Sequence, residues 1–454
     1  MKLFVAAVLA AVLAAFFGPG YLRWKDYERT GLAPKGGGLA KDMSAFVLTS
    51  LPRLGRLFKT PPSDESLEGF HENLEFNNFG KMAQFKESPH FAENFYFWGN
   101  SVQDTSFLFT VRLSFYSVNA AHVVPWFHFM IDGEAWDLPE EFENNTLPHK
   151  SGDPREAKAP GLGHIQFTCV SPMREWKLAY KGILRSMKTG ERRDVEAEFT
   201  LYMNPHNVFR YQIHWDELTA ARSMAGKEWN QRFWTNIRNQ NQERYCSQAK
   251  RGTGYIQFEG AEKRELGPLD GSRDHNFGIR NWRFIHTYIW FPPVKFAEPI
   301  ILDGVKYSYF TGAMTEYGSS FDNMVVGGLM SEDGKCASWS GATPMRDIAT
   351  EWYDSTSERY VPVGDKTLAH GIFDWELAVL HSKYILEIHQ ERGSKHGLWQ
   401  HYFMLADGVF EINEGQTKWY FTVKRASTGE VLQKTTAIGL FEFGKNLVGY
   451  DDSV

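Results

Sequence analysis

From about Phe70 to its end, the chain alternates short runs rich in aromatic and β-branched residues with turn signals, and no long helical periodicity competes with that pattern. Asp-Gly follows three of the runs, at Asp132-Gly133, Asp333-Gly334 and Asp407-Gly408, and interrupts a fourth at Asp303-Gly304, a pair suited to tight hairpins because both residues tolerate positive φ. Repeated short strands of this kind predict a barrel or a sandwich. The 35 Phe, 19 Tyr and 15 Trp side chains supply wide apolar surfaces for such sheets. A chain of 454 residues is too long for one small core, so the reading is all-β, with two antiparallel units in series. The polar, Trp-bearing stretch from Asp216 to Glu243 is expected to hold a helix or long loop between the halves.

A net charge of −6 excludes the basic footprint of a nucleic-acid binder. Cys169, Cys246 and Cys336 lie far apart without a CxxC pair, which points to ordinary thiols rather than a zinc site or a disulfide framework. Leu3 to Leu22 is almost wholly apolar, with no charge before Arg23, about the length of a membrane span; a cleaved secretory signal is the alternative. Arg23, Lys25, Arg29 and Lys35 follow the span and only Lys2 precedes it, which places the large remainder on the cytoplasmic side. The acceptor triplet Asn144-Asn145-Thr146 points instead to a secreted or luminal location. Met43 to Lys59 reads as a basic amphipathic helix interrupted by Pro52, lying on a membrane or packed against the domain. The expected divisions are an anchor over 1–22, a linker over 23–69, and β domains over 70–255 and 256–454.

The densest chemistry is Gly271-Ser272-Arg273-Asp274-His275-Asn276-Phe277-Gly278-Ile279-Arg280-Asn281-Trp282. In a closed cavity Asp274 would stay protonated and deliver a proton to an alkene or enol ether, with His275 orienting or accepting it. Arg273 and Arg280 oppose this by favouring the carboxylate, and Asp274 is then a structural clasp. Trp282 and Trp290 would line or plug the adjacent barrel, or pack in its core. Trp126 and His128, with His122 nearby, belong to an aromatic strand beside a pocket. Glu387, His389 and Glu391 share one strand face at period two, a spacing that could hold a divalent metal but more simply describes a solvated face, as do Asp374 and Glu376. The chain carries no nucleophile elbow, dinucleotide-binding glycine motif, phosphate-cradling loop or HExxH helix.

The Arg273-Asp274-His275-x-x-Gly278-x-Arg280 segment resembles one found in the hydroxyneurosporene synthase and AttH-like superfamily, in a branch without an assigned reaction. The similarity extends from about Phe91, through Gly163-His164-Ile165-Gln166-Phe167 and Trp176 to Gly182, to near the C-terminus. It implies two lipocalin-like antiparallel β-barrels in tandem, here preceded by an N-terminal transmembrane helix. The superfamily includes acyclic carotenoid hydratases and fungal Diels–Alderase-type cyclases, but none of their catalytic residues maps onto a matching position. The expectation is a membrane-anchored protein that encloses an apolar small molecule, a lipid or isoprenoid, without cofactor or metal. Asp274, His275 and Arg280 are its candidate catalytic residues, and Arg273, Trp282, Trp290, Trp126 and His128 its ligand-binding ones. The alternative is a non-enzymatic lipid carrier or interaction scaffold in which Arg273 to Arg280 is a latch. Nothing in the sequence sets the oligomeric state.

Overall fold

The computed structural model describes residues 37–57, 91–104, 106–116, 123–144, 156–211, 216–238, 240–280, 285–317, 320–339, 341–344, 351–354, 359–362, 371–372, 376–381, 383–390, 398–405 and 408–446. The first sheet comprises β1 (Phe91–Ser101), β2 (Leu108–Tyr116), β3 (Val123–Ile131), β4 (Glu134–Asp137), β5 (Glu156–Ala159), β6 (Gly163–Ser171), β7 (Glu175–Ser186), β8 (Arg192–Arg210), β9 (Gln240–Phe258), β10 (Arg264–Glu265) and β11 (Leu269–Arg280). Its order is β10-β9-β11-β1-β2-β3-β4-β7-β6-β5, and β8 pairs with both β7 and β9. That double pairing closes β9, β11, β1, β2, β3, β4, β7 and β8 into an antiparallel barrel, a ring in which every strand has a neighbour on both sides.

The second sheet holds β12 (Ile285–Leu302), β13 (Val305–Tyr317), β14 (Phe321–Met330), β15 (Cys336–Ser338) and β16 (Gly341–Pro344). A three-stranded sheet of β17 (Glu351–Asp354), β18 (Arg359–Pro362) and β19 (Gly371–Ile372) follows in the chain. The second sheet then resumes with β20 (Glu376–His381), β21 (Tyr384–Gln390), β22 (Leu398–Leu405), β23 (Gly408–Arg425) and β24 (Val431–Asn446). Its path runs β15-β14-β13-β12-β24-β23-β21-β20-β16. Only Trp339 and Ser340 separate β15 from β16 in sequence, so a two-residue connection joins the two ends of this path.

Local chemistry explains the turns. Asp132 and Gly133 have φ of 55° and 76°, and Asp303 and Gly304 have 47° and 79°, so each pair forms the two-residue hairpin loop that favours these residues. The expected boundary at 255/256 falls inside β9, and the chain passes from one sheet to the other between Arg280 and Ile285. The helices α1 (Leu39–Leu57), α2 (Glu140–Asn144), α3 (Glu217–Ala225) and α4 (Gln231–Arg238) complete the described elements. Asp216 caps α3 by accepting from the Thr219 backbone N–H at 2.9 Å. The Asp216 to Glu243 stretch thus does hold helices, but it joins β8 to β9 within the first unit rather than linking the halves.

Alternate residues of each strand serve different layers. Phe95 and Phe97 of β1 point into the first barrel with Phe109, Phe127, Phe129, Trp176 and Phe199, where Phe109 and Phe199 stack at 4.2 Å. Tyr96 and Trp98, their neighbours in sequence, belong to the cluster that reaches into the second unit. Inside the second barrel Phe291, Phe310, Trp419 and Phe421 pack ring against ring at 5.1–5.4 Å. Aromatic side chains thus pack inside the described parts of both barrels.

Of the two settings expected for the amphipathic helix, α1 has the packed one. Its Ala45 is buried with Ala221, Met224 and Ala225 of α3, and its Asp42 lies 3.6 Å from Arg222. The expected span Leu3–Leu22 lies outside the described residues. Among the described residues no helix is long and apolar enough to cross a membrane.

Candidate functional site between the barrels

Because β11 is a strand rather than a turn, the residues of its charged run separate by parity. Arg273 and His275 face the interior of the first barrel, whereas Ser272, Asp274 and Asn276 face outward. That outward face lies against the outer face of the second barrel, so it is buried; Asp274 is 2% exposed. The structure therefore does not bring Asp274 and His275 together in one site. Only the backbone of Arg280 is described, and Trp282 and His122 lie outside the described residues.

Strand register builds the first wall of this seam as a grid. One row runs Trp126, Arg112, Tyr96, Asp274, Cys246 across β3, β2, β1, β11 and β9. The next runs His128, Thr110, Trp98, Ser272, Gln248. The opposite wall comes from β12, β24 and β23, where Trp290 pairs with Glu442 and Glu442 with Glu414.

Asp274 is held by three donors. Its Oδ1 accepts from Arg244 Nε at 2.8 Å and from the Cys246 thiol at 3.1 Å, and its Oδ2 accepts from Asn276 Nδ2 at 2.9 Å. Asn94 Nδ2 donates in turn to Asn276 Oδ1 at 2.7 Å. Burial opposes the charge of Arg244, yet the adjacent Asp274 keeps its pKa above the ordinary value. Burial, with Asp274 beside it, pushes the Cys246 thiol up, so that it remains a donor. The Arg244 guanidinium also lies 4.4 Å from the Trp290 ring and 4.8 Å from Tyr211, and Trp290 Nε1 donates to the Tyr211 hydroxyl at 2.8 Å. Trp290 therefore neither lines nor plugs the second barrel; it closes the seam from outside, edge-on to Tyr96 at 5.1 Å.

A second network occupies the same seam. The Tyr96 hydroxyl donates to Glu414 Oε1 at 3.3 Å and receives the Thr110 hydroxyl at 2.8 Å. Glu414 is hydrogen-bonded to Glu442, which accepts from the Tyr288 hydroxyl. Burial first, and the neighbouring Glu442 second, push the Glu414 carboxyl well above the usual carboxylate range, against a partial opposing effect of Arg112. A carboxyl facing another in a dry layer resists ionisation, which is the effect on Glu414. Arg112 itself lies over the Trp126 ring at 3.1 Å, and His128 Nδ1 is 3.0 Å from Asp137 Oδ1.

On the inner side of β11, His275 is clamped at both nitrogens. Nδ1 meets the Tyr245 hydroxyl at 2.6 Å and Nε2 meets Glu93 Oε1 at 2.9 Å. Phe95 stacks on the ring at 4.2 Å. Arg273 Nη2 donates to Tyr245 at 3.3 Å, and its guanidinium lies 4.9 Å from Trp176.

Arg244, Cys246, Tyr211, Tyr96, Glu414 and Glu442 were not singled out from the sequence. A signal for Glu442 was available in Phe441-Glu442-Phe443, where a carboxylate alternates with apolar residues, whereas Asn413-Glu414-Gly415 gives none for Glu414. That alternation identifies a strand face without saying whether the face meets water. Of the Glu387, His389 and Glu391 cluster, Glu387 accepts from Lys424 Nζ at 2.6 Å, the side chain of His389 is not among those described, and Glu391 lies outside the described residues. Elsewhere on the second barrel, an open cleft of about 470 Å³ is lined by residues including Lys295, Phe296, Glu332, Asp333 and Lys335.

No protein-family model matches the chain, and no curated protein sequence does either. Among solved structures it is similar to CghA crystallised with Sch210972, at 12% identity and a TM-score of 0.40 over 79% of this chain and 89% of that one. It is also similar to a putative AttH from Nitrosomonas europaea, at 10% identity and a TM-score of 0.44 over 78% of this chain and 92% of that one.

Proposed function

We propose that the seam between the two barrels receives an apolar small molecule, a lipid or isoprenoid, and that Glu414 is its proton donor in a cofactor-independent hydration, isomerisation or cyclisation. The observation that carries this reading is the buried Glu414–Glu442 pair, with Tyr96 donating to Glu414 and the Trp290 ring edge-on to Tyr96. A carboxylic acid whose pKa burial raises keeps its proton in a water-poor layer and so has one to deliver to an alkene or enol. Arg112 faces the pair and offsets part of the negative charge left after transfer. Asp274 has the other role considered for it, a clasp that joins β9 and β11 through Arg244, and His275 braces the first barrel through Glu93 and Tyr245.

Solvent extraction of the purified full chain followed by mass spectrometry is expected to release a hydrophobic molecule, and a Trp290→Ala variant to retain less of it. An empty extract, together with no uptake of apolar probes, would remove the seam as a binding site. Glu414→Gln is expected to keep the molecule and lose its conversion, whereas unchanged turnover would take the acid role from Glu414. Asp274→Asn is expected to lower stability by about 3 kcal/mol, the low end for removing one partner of a buried ion pair, because asparagine keeps one acceptor. A folded Asp274→Asn protein that binds but no longer converts the molecule would move the proton to Asp274.

The same reading takes Leu3–Leu22 as the anchor that places the seam beside a bilayer, with the barrels on the cytoplasmic side. Expression in a eukaryotic host tests this through Asn144: the site is expected to stay unglycosylated, and modification there would reverse the topology.

A further inference from the structure

Resting on the seam as the binding site, we infer that it selects a ligand with an uncharged polar head that both donates and accepts hydrogen bonds. Four buried side chains carry this. On the first wall Trp98, Ser272 and Gln248 follow one another along a single register row, at 1%, 0% and 0% exposure. On the second wall Gln416 is 2% exposed and pairs with Leu440, one residue along β24 from Gly439, where an added Cβ would stand 3.6 Å from the Trp98 ring. Three of these side chains thus lie side by side on the first wall, and the fourth is carried by β23 of the second.

Among the described residues, the indole N–H of Trp98, the hydroxyl of Ser272 and both ends of the Gln248 and Gln416 amides have no hydrogen-bond partner. Leaving so many polar atoms dry and unpaired is costly, so such groups are ordinarily matched. The two amides offer a donor and an acceptor each, and the indole adds a donor. A carbonyl with an adjacent N–H or O–H satisfies that set. A charged head does not, because the nearby Arg244 and Asp274 already neutralise one another and an unpaired charge is far harder to desolvate than an amide. The aromatic walls take the apolar body.

Titration of the full-length protein with oleamide, oleic acid and 1-octadecene, read by tryptophan fluorescence and native mass spectrometry, tests this. The amide is expected to bind roughly 30-fold more tightly than the alkene, the size of two recovered hydrogen bonds, and more tightly than the acid at pH 8. Gln248→Leu and Gln416→Leu are expected to bring amide and alkene within about three-fold of each other while alkene binding persists. Ser272→Ala, which removes one hydroxyl and no bulk, provides a milder variant should either leucine protein fail to fold, with a partial loss of the same preference. Equal binding of amide and alkene by the unaltered protein, or a preference that survives the substitutions, would overturn the polar-head site and leave apolar binding intact. Higher thermal stability of the leucine variants with unchanged selectivity would assign the amides to buried water alone. Failure of all three probes to bind would remove the seam site itself.

Discussion

At the scale of single residues, the chemistry of this molecule follows from side-chain parity within strands. Asp274 and His275 are adjacent in sequence and face different layers, and each is bound by partners contributed from other strands. The proton donor proposed for the seam is Glu414. Its carboxyl titrates above its unfolded-state value, so the native state binds more protons than the unfolded state over the interval between the two values. Stability from this group is therefore fully present below the unfolded pKa of about 4.3 and falls as pH rises toward the raised folded value. Denaturant melts from pH 5 to 9 should show that decline in the unaltered protein and a flatter profile in Glu414→Gln. Parallel profiles would mean that Glu414 is not held neutral.

At the scale of elements, most of the fold was legible from period-two alternation and turn chemistry. The runs expected at Gly163 to Val170, Met324 to Met330 and Leu398 to Leu405 correspond to β6, β14 and β22, and the Asp132-Gly133 and Asp303-Gly304 hairpins form where expected. The run from Gly271 to Arg280 was less legible. Its charges suit a solvent-facing turn, and they are tolerated in a central strand only because β1 and β9 bring Glu93, Arg244 and Tyr245 alongside. Strand β24 has a constraint of its own at Gly439, where a Cβ would stand 2.1 Å from Val294 Cγ1. Gly439→Ala should cost about 1–3 kcal/mol as an overpacking change. Combining it with Val294→Ala should recover part of that loss, a coupling measurable by a double-mutant cycle.

At the scale of the whole molecule, the two barrels share a buried layer that includes Tyr96, Trp98, Trp126, Cys246, Tyr288 and Trp290. Residues 91–280 expressed alone would expose one aromatic wall of that layer, a patch of the kind that drives association. The isolated barrel is expected to aggregate, and the full chain to melt in one calorimetric transition; two resolved transitions would show that the barrels fold independently. The sequence by itself determined the β class, the serial doubling, the hairpin positions and the polarity of each strand face, because these depend on local backbone preference and on the two-residue repeat of side chains. Only the tertiary structure decided which of those faces lies dry. An outer barrel face carrying Glu414, Glu442 or Asp274 reads as solvent-exposed until a second barrel covers it, and desolvation by that distant partner is what turns ordinary strand carboxyls into a candidate site.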